Sequence, residues 1–127
     1  MLQSNVTSMG SNRNRDKGND YERQVAKELR ELGFPGVVTS RSESKSTDDD
    51  KVDLIDKEGK LPVNIQLKKT KNTPAYFDIR AQSSVDPETF VLFWNKQEKK
   101  KINFCSAGEL VMMDKSLFYK MLTKYIK

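Results

Sequence analysis

The alternation of apolar and polar residues predicts a helix and a short strand near the start of the chain. Within residues 18–33, apolar side chains recur at spacings of three and four, which is the period of one helix face. Asn19 or Asp20 can cap this helix, and Gly33 ends it. After a turn at FPG, the stretch VVTSR (37–41) predicts a short strand. The apolar positions of the helix are Tyr21, Val25, Leu29 and Leu32.

Residues 51–56 (KVDLID) and 61–69 alternate with the period of two that is typical of strands, and together they predict a β-hairpin. Gly59 can supply the positive φ of the turn over residues 56–60. In the first strand Asp53 lies on the face opposite its apolar neighbours. Because residues opposite one another across a ladder lie about 5 Å apart, the hairpin can bring Asp53 beside Gln66 and Lys68.

The rest of the chain predicts two more strands and two helices. Residues 70–85 are ambiguous, but Pro74 can start a short helix there. The apolar run TFVLFW (89–94) predicts a buried central strand, with Trp94 in the core. NKQEKK (95–100) then predicts a turn into a further strand, KINFC.

A final helix capped by Asp114 is predicted, and its apolar stripe is either core or a dimer surface. The predicted order is therefore α-β-β-β-(α)-β-β-α, an α/β fold. We expect one domain over residues 17–127, preceded by a disordered basic arm over residues 1–16. The stripe consists of Leu117, Phe118, Met121, Leu122 and Tyr125.

The composition and charge of the chain limit which partners and locations we expect. The chain carries a net charge of +5, which favours a polyanionic partner, nucleic acid first, although excess lysine can also serve solubility alone. No apolar run approaches the ~20 residues of a membrane helix, and the first residues lack the apolar core of a signal peptide. We therefore expect a cytoplasmic protein, in the host cytoplasm if it is viral.

The absence of histidine and the presence of one cysteine, Cys105, exclude several chemistries. Serine–histidine and cysteine–histidine catalysis, histidine zinc sites and an intrachain disulfide are impossible. Hydrolysis would have to use carboxylates, lysines and hydroxyls together with a hard cation. For phosphodiesters, carboxylates hold Mg²⁺, the metal activates water, and a lysine stabilises charge. Asp53 followed by Gln66-x-Lys68 has that layout.

These residues resemble those of the PD-(D/E)XK, restriction-endonuclease-like nucleases, and among them the small archaeal-type Holliday junction resolvases also found in phages. The resemblance covers roughly residues 17–105. KGNDYERQVAKELRELGF is similar to the family's opening helix, KVDLI and NIQLK to its two motif strands, and FVLFW and INF to its later strands. It implies a mixed β-sheet flanked by helices, Mg²⁺ or Mn²⁺ as cofactor, a DNA substrate and a homodimer.

The same resemblance implies the role of each site residue. Asp53 would be the bridging metal ligand, Gln66 a weaker second ligand, and Lys68 the contact to the attacking water or scissile phosphate. Glu22 would be an additional metal or water ligand. The residues that we expect to contact nucleic acid are Ser40, Arg41, Ser42, Lys69, Lys71, Arg13, Arg15 and Lys17.

Two positions depart from the family pattern. Val52 stands where proline is usual, and Gln66 stands where glutamate is usual. An amide oxygen can coordinate Mg²⁺ but brings no negative charge, so either the affinity for metal falls or another carboxylate, Glu22 or Asp50, compensates. Three alternatives stay open: a DNA-binding protein of this fold without activity, a nuclease acting on other DNA structures, and a basic structural protein.

Overall fold

The computed structural model of the protein describes residues 19–42 and 52–126. The predicted basic arm over residues 1–16 lies outside these ranges, and so does nearly all of the polar loop over residues 42–50. Within the described ranges no helix is long and apolar enough to cross a bilayer.

A five-stranded mixed sheet forms the centre of the molecule, as the predicted α/β fold requires. In space the strands follow the order β1-β2-β3-β4-β5. The pair β3–β4 is parallel, and the other neighbours are antiparallel. The strands are β1 (Val37–Thr39), β2 (Leu54–Asp56), β3 (Asn64–Thr70), β4 (Phe90–Lys100) and β5 (Asn103–Met113).

Within the described residues three helices accompany the sheet. Residues 19–32 form α1, and the two later helices are α2 (Tyr76–Ala81) and α3 (Lys115–Thr123). Short 3₁₀ turns lie at Ser40–Ser42 and Pro87–Thr89. Parallel strands need a crossover, and the segment that contains α2 supplies it between β3 and β4. The short helix predicted after Pro74 is thus confirmed.

The main core lies between α1 and the first three strands. The predicted helical stripe is buried as far as Leu29, but Leu32 is exposed. Leu32 is the last helical residue, one turn beyond Leu29, where the core no longer covers the helix. Trp94 on β4 is buried, as predicted. The core residues are Tyr21, Val25, Ala26, Leu29, Val37, Leu54, Ile65 and Leu67.

The turn of the β2–β3 hairpin is organised by one carboxylate. Gly59 has a φ of +68°, as the sequence predicts. Asp56 accepts backbone hydrogen bonds of 2.9 Å each from Glu58, Lys60 and Leu61. These bonds, that from Glu58 first, hold the pKa of Asp56 below its ordinary value of 3.8.

The predicted turn over residues 95–100 is wrong. These residues continue β4, and the chain reverses only at Lys101, which has a φ of 56°. The polar side chains are tolerated in the sheet because they satisfy one another. Asn95 Oδ1 accepts hydrogen bonds from Gln97 Nε2 at 3.1 Å and from Ser106 Oγ at 2.6 Å.

The chain leaves β5 through Asp114, whose carboxylate accepts the backbone N–H of Ser116 at 3.0 Å. This is the predicted cap of the last helix. Of the predicted apolar stripe on α3, only Leu117 is buried.

Candidate active site

Asp53 lies immediately before β2 and faces the middle of β3. Its backbone N–H donates to Ile65 O at 2.8 Å, and Leu54 is the register partner of the same Ile65. Asp53 and Leu54 therefore both lie opposite Ile65, as in a β-bulge. The Asp53 carboxylate accepts the N–H of Leu67 at 2.8 Å, and the residue is only 7% exposed. Asp53 thus bonds to the residues on either side of Gln66, the neighbour that the hairpin pattern predicts.

Gln66 is a buried amide with an unused acceptor. The residue is 6% exposed, and among the described residues its Oε1 has no hydrogen-bond partner. Leaving such an oxygen unpaired away from water costs about 1–3 kcal/mol. A cation coordinated by this oxygen would remove that cost.

Lys68 follows two residues later and therefore points to the same face of β3 as Gln66. It lines an open cleft of about 360 Å³ together with Lys71 and residues of the β3–α2 connection. Lys69 points to the opposite face of the strand. Lys69 and Lys71 are the two described lysines that are predicted to contact nucleic acid, and of these Lys71 shares a surface with Lys68 whereas Lys69 does not. The other lining residues are Thr70, Asn72, Pro74 and Ile79.

Glu22 and Arg41 form a bidentate ion pair. Arg41 Nε donates to Glu22 Oε1 at 3.1 Å, and Arg41 Nη2 donates to Glu22 Oε2 at 3.2 Å. The Glu22 side chain is buried, whereas that of Arg41 is about half exposed. This parallel geometry is the strong form of an arginine–carboxylate contact. The role of Glu22 as a metal ligand stays a prediction, since in this structure its carboxylate is held by Arg41.

Ser40 connects the ion pair to Asp53, because its N–H donates to Asp53 O at 2.7 Å. Ser40 is fully buried in this structure, and its contact with a DNA phosphate stays a prediction. In the same turn the Arg41 side chain is about half exposed. The side chain of Ser42 lies outside the described part of the chain, as do Arg13, Arg15, Lys17 and Asp50.

The predicted site residues form two clusters. Helix α1 packs against the face of β3 that carries Ile65 and Leu67, whereas Gln66 and Lys68 point to the other face. In residues 19–42 and 52–126 no three carboxylate or thiol groups converge to hold a metal. Asp53 bonds to both chain neighbours of Gln66, and the Asp53 carboxylate and the Gln66 amide oxygen are hard oxygen ligands of the kind that Mg²⁺ prefers.

Sequence reasoning missed Arg23. A cleft of about 310 Å³ is lined by Arg23 together with Glu22 and Arg41, and also by Asn19 and Thr39. The helical period places Arg23 on the solvent face of α1, which is correct but does not show that Arg23 lies beside the Glu22–Arg41 ion pair. The sequence signal for this position is that Arg23 directly follows Glu22, a glutamate that the helix buries.

The model of the archaeal Holliday junction resolvase (Hjc) family matches residues 13–85, more than half of the chain. No curated protein and no solved structure matches. The match includes both clusters and ends before β4. The chain therefore belongs to the archaeal Holliday junction resolvase family, a nuclease family of the restriction-endonuclease-like superfamily.

Proposed function

We propose that the protein is a divalent-metal-dependent DNA endonuclease that resolves four-way junctions by symmetric cuts as a homodimer. The observation that carries this proposal is the buried Gln66 Oε1, without a partner among the described residues, flanked by the buried carboxylate of Asp53. A buried carboxylate beside a buried unused acceptor is costly unless a ligand occupies the space between them.

Each residue has a role in this proposal. Asp53 and Gln66 would hold Mg²⁺ or Mn²⁺, which when bound activates water and neutralises charge on the phosphate. The Lys68 ammonium, on the same face as Gln66, contacts the attacking water or the scissile phosphate. Lys71, in the same cleft, contacts a neighbouring phosphate. Glu22 can act as a further ligand only once Arg41 releases it, and Arg41 is exposed enough to exchange its carboxylate for a phosphate.

The homodimer follows from the substrate. A four-way junction presents two equivalent strands for cleavage, and a two-fold symmetric dimer matches them with two identical sites. The net charge of +5 supports binding to the DNA backbone, which makes the affinity fall steeply with salt.

A cleavage assay tests the proposal. Labelled four-way junction and linear duplex are incubated with Mg²⁺, Mn²⁺ or EDTA and with wild type, Asp53→Asn or Glu98→Gln. Glu98 is an exposed carboxylate far along β4, so Glu98→Gln is a control for loss of one negative charge. We expect paired nicks on the junction for wild type and Glu98→Gln, and none with EDTA or Asp53→Asn. If the junction stays intact with every metal, the proposed endonuclease activity is refuted.

A second candidate is a DNA-binding protein of the same fold without activity. One observation favours it: Gln66 offers a neutral amide, and the described residues contain no group of three acidic or thiol side chains that could hold a metal. It requires junction binding that EDTA does not change. Cleavage gained in Gln66→Glu, where wild type has none, would identify that side chain as the reason.

A further inference from the structure

Strand β5 forms one edge of the sheet and lies beyond the residues that match the family model. It pairs with β4 on one side, and no other strand of the described residues pairs with its outer side. Its eleven residues, Asn103–Met113, include a single charged side chain, Glu109. In a chain of which 32% is charged, this is an unusually neutral surface strand.

Natural proteins protect exposed edges with lysine, proline, bulges or short strands, because an open edge pairs with other chains. At the opposite edge of this sheet, β1 has only three residues. β5 carries one of these protections, a register shift that leaves Ala107 unpaired beside Gly108, but its residues Glu109–Met113 include no lysine, proline or further bulge. Leu110 is 56% exposed and Val111 is 49% exposed, and these neighbours point to opposite faces of the strand.

Helix α3 extends the apolar surface, since it follows β5 directly and buries only Leu117. The exposed apolar side chains of β5 and α3, each about half exposed, together present about 600 Å² of surface, which is the larger part of the roughly 800 Å² that each partner buries in an interface of standard size. With the polar rim that such an interface also carries, this area suits a stable dimer. The side chains that α3 contributes are Phe118, Tyr119, Met121 and Leu122.

We infer that β5 pairs antiparallel with β5 of a second copy of this chain, so that two sheets join into one of ten strands. The inference rests on the proposed function in that it names the interface of the proposed dimer. A second copy fits because a two-fold axis brings each apolar patch against its own counterpart. The near absence of charge on β5 means that few like charges meet, and it makes the edge a poor surface for DNA phosphates.

This arrangement places the two candidate sites on one side of the ten-stranded sheet. A two-fold axis that relates antiparallel neighbours in a sheet is perpendicular to that sheet, so Gln66 and Lys68 of both copies point to the same side. Five strand spacings separate β3 from β3 of the second copy, about 24 Å across the strands. One DNA molecule on that side can contact both sites.

The first test is the mass in solution, measured by sedimentation equilibrium without DNA or metal. We expect wild type at twice 14.6 kDa, and Leu110→Glu and Val111→Lys shifted to 14.6 kDa with unchanged circular dichroism. Both side chains are exposed, so neither change should prevent folding. Leu32→Glu is the matched control, because Leu32 is 74% exposed on α1 and should leave the dimer intact.

The second test uses Cys105, the single cysteine of the chain, which is exposed on β5. Spin labels attached there should lie less than roughly 50 Å apart in the dimer, because the two Cys105 positions are offset by about 20 Å when the strands overlap fully and by about 41 Å when the two-fold axis passes at Val111. A monomeric wild type, as expected if another segment or protein covers the edge, overturns the inference. A dimer that survives both β5 variants, or that holds the labels farther apart, also overturns it. Neither measurement depends on cleavage, so failure of the interface and failure of the nuclease proposal are distinguishable.

Discussion

Asp53 has a structural role and a proposed chemical one, and two substitutions separate them. Its carboxylate accepts the N–H of Leu67 at 2.8 Å in a buried position. Asparagine keeps an acceptor oxygen at the same place, whereas alanine leaves that N–H unpaired, which costs about 1–3 kcal/mol. Without metal, Asp53→Ala should therefore lose about this much stability, and Asp53→Asn should keep most of it.

Thermal unfolding in EDTA converts the difference into a temperature. For a domain of this size, 1–3 kcal/mol corresponds to a Tm lower by roughly 4–12 °C. Addition of Mg²⁺ at ten times its Kd should then stabilise wild type by about 1.4 kcal/mol, because metal binds only the folded state. Both Asp53 variants should lack this gain, and Glu98→Gln should retain it.

Two results would refute this reasoning. If Asp53→Asn falls in Tm as far as Asp53→Ala in EDTA, the hydrogen bond to Leu67 is not what the side chain contributes to stability. If Asp53→Asn still gains stability with Mg²⁺ as wild type does, the carboxylate is not a metal ligand.

Three further predictions concern neighbouring charges. Arg41→Ala should lower the free energy of unfolding in urea by about 1–2 kcal/mol, because it leaves the buried Glu22 carboxylate unpaired. Glu22→Gln should lower it by less, because the arginine that it leaves unpaired can reach water. A larger loss in Glu22→Gln than in Arg41→Ala would contradict this. Gln66→Glu should lower the Kd for Mn²⁺ in calorimetric titration and lower the Tm in EDTA, since it places two carboxylates together; an unchanged Kd would exclude Gln66 as a ligand. The depressed pKa of Asp56 contributes stability that is present above pH 3.8 and lost as the pH falls through the folded-state value, so the Tm of Asp56→Asn should vary less than that of wild type below pH 4; parallel profiles would count against it.

The hairpin and its polar pair could be predicted because two apolar alternations fix the register. A slip of one residue would expose Leu54 and Ile65 together, so few pairings are possible. The bulge at Asp53 could not be predicted, since alternation assumes a regular ladder. It is the bulge that gives Asp53 its bonds to Ile65 and Leu67.

The long β4–β5 hairpin could not be predicted for a different reason. A local pattern treats Asn95 and Gln97 as turn residues, because buried amides without partners are costly. Their partners are each other and Ser106, eleven residues from Asn95. The pairing of Glu22 with Arg41 was missed in the same way, because it joins a helix to a 3₁₀ turn nineteen residues later. In both cases the sequence shows the groups but not which of them meet.

The balance of charge in the two clusters bears on how metal and DNA would bind. Asp53 and Glu22 carry one negative charge each, and Lys68 and Arg41 carry one positive charge each, so the four cancel. A divalent cation therefore meets little net attraction in the free protein, and the amide of Gln66 adds none. A DNA phosphate brings both negative charge and further oxygen ligands. Metal and DNA should consequently strengthen each other's binding, each by the same factor.

Fluorescence anisotropy with labelled junction DNA measures this coupling. Ca²⁺, which also takes oxygen ligands, should tighten binding relative to NaCl of equal ionic strength. The gain should vanish in Asp53→Asn, which removes the charged ligand. It should shrink in Gln66→Glu, because the added carboxylate already attracts the cation before DNA arrives. Equal tightening in wild type and Asp53→Asn would mean that the cation acts on the DNA rather than at this site, and the neutral amide would then need another explanation.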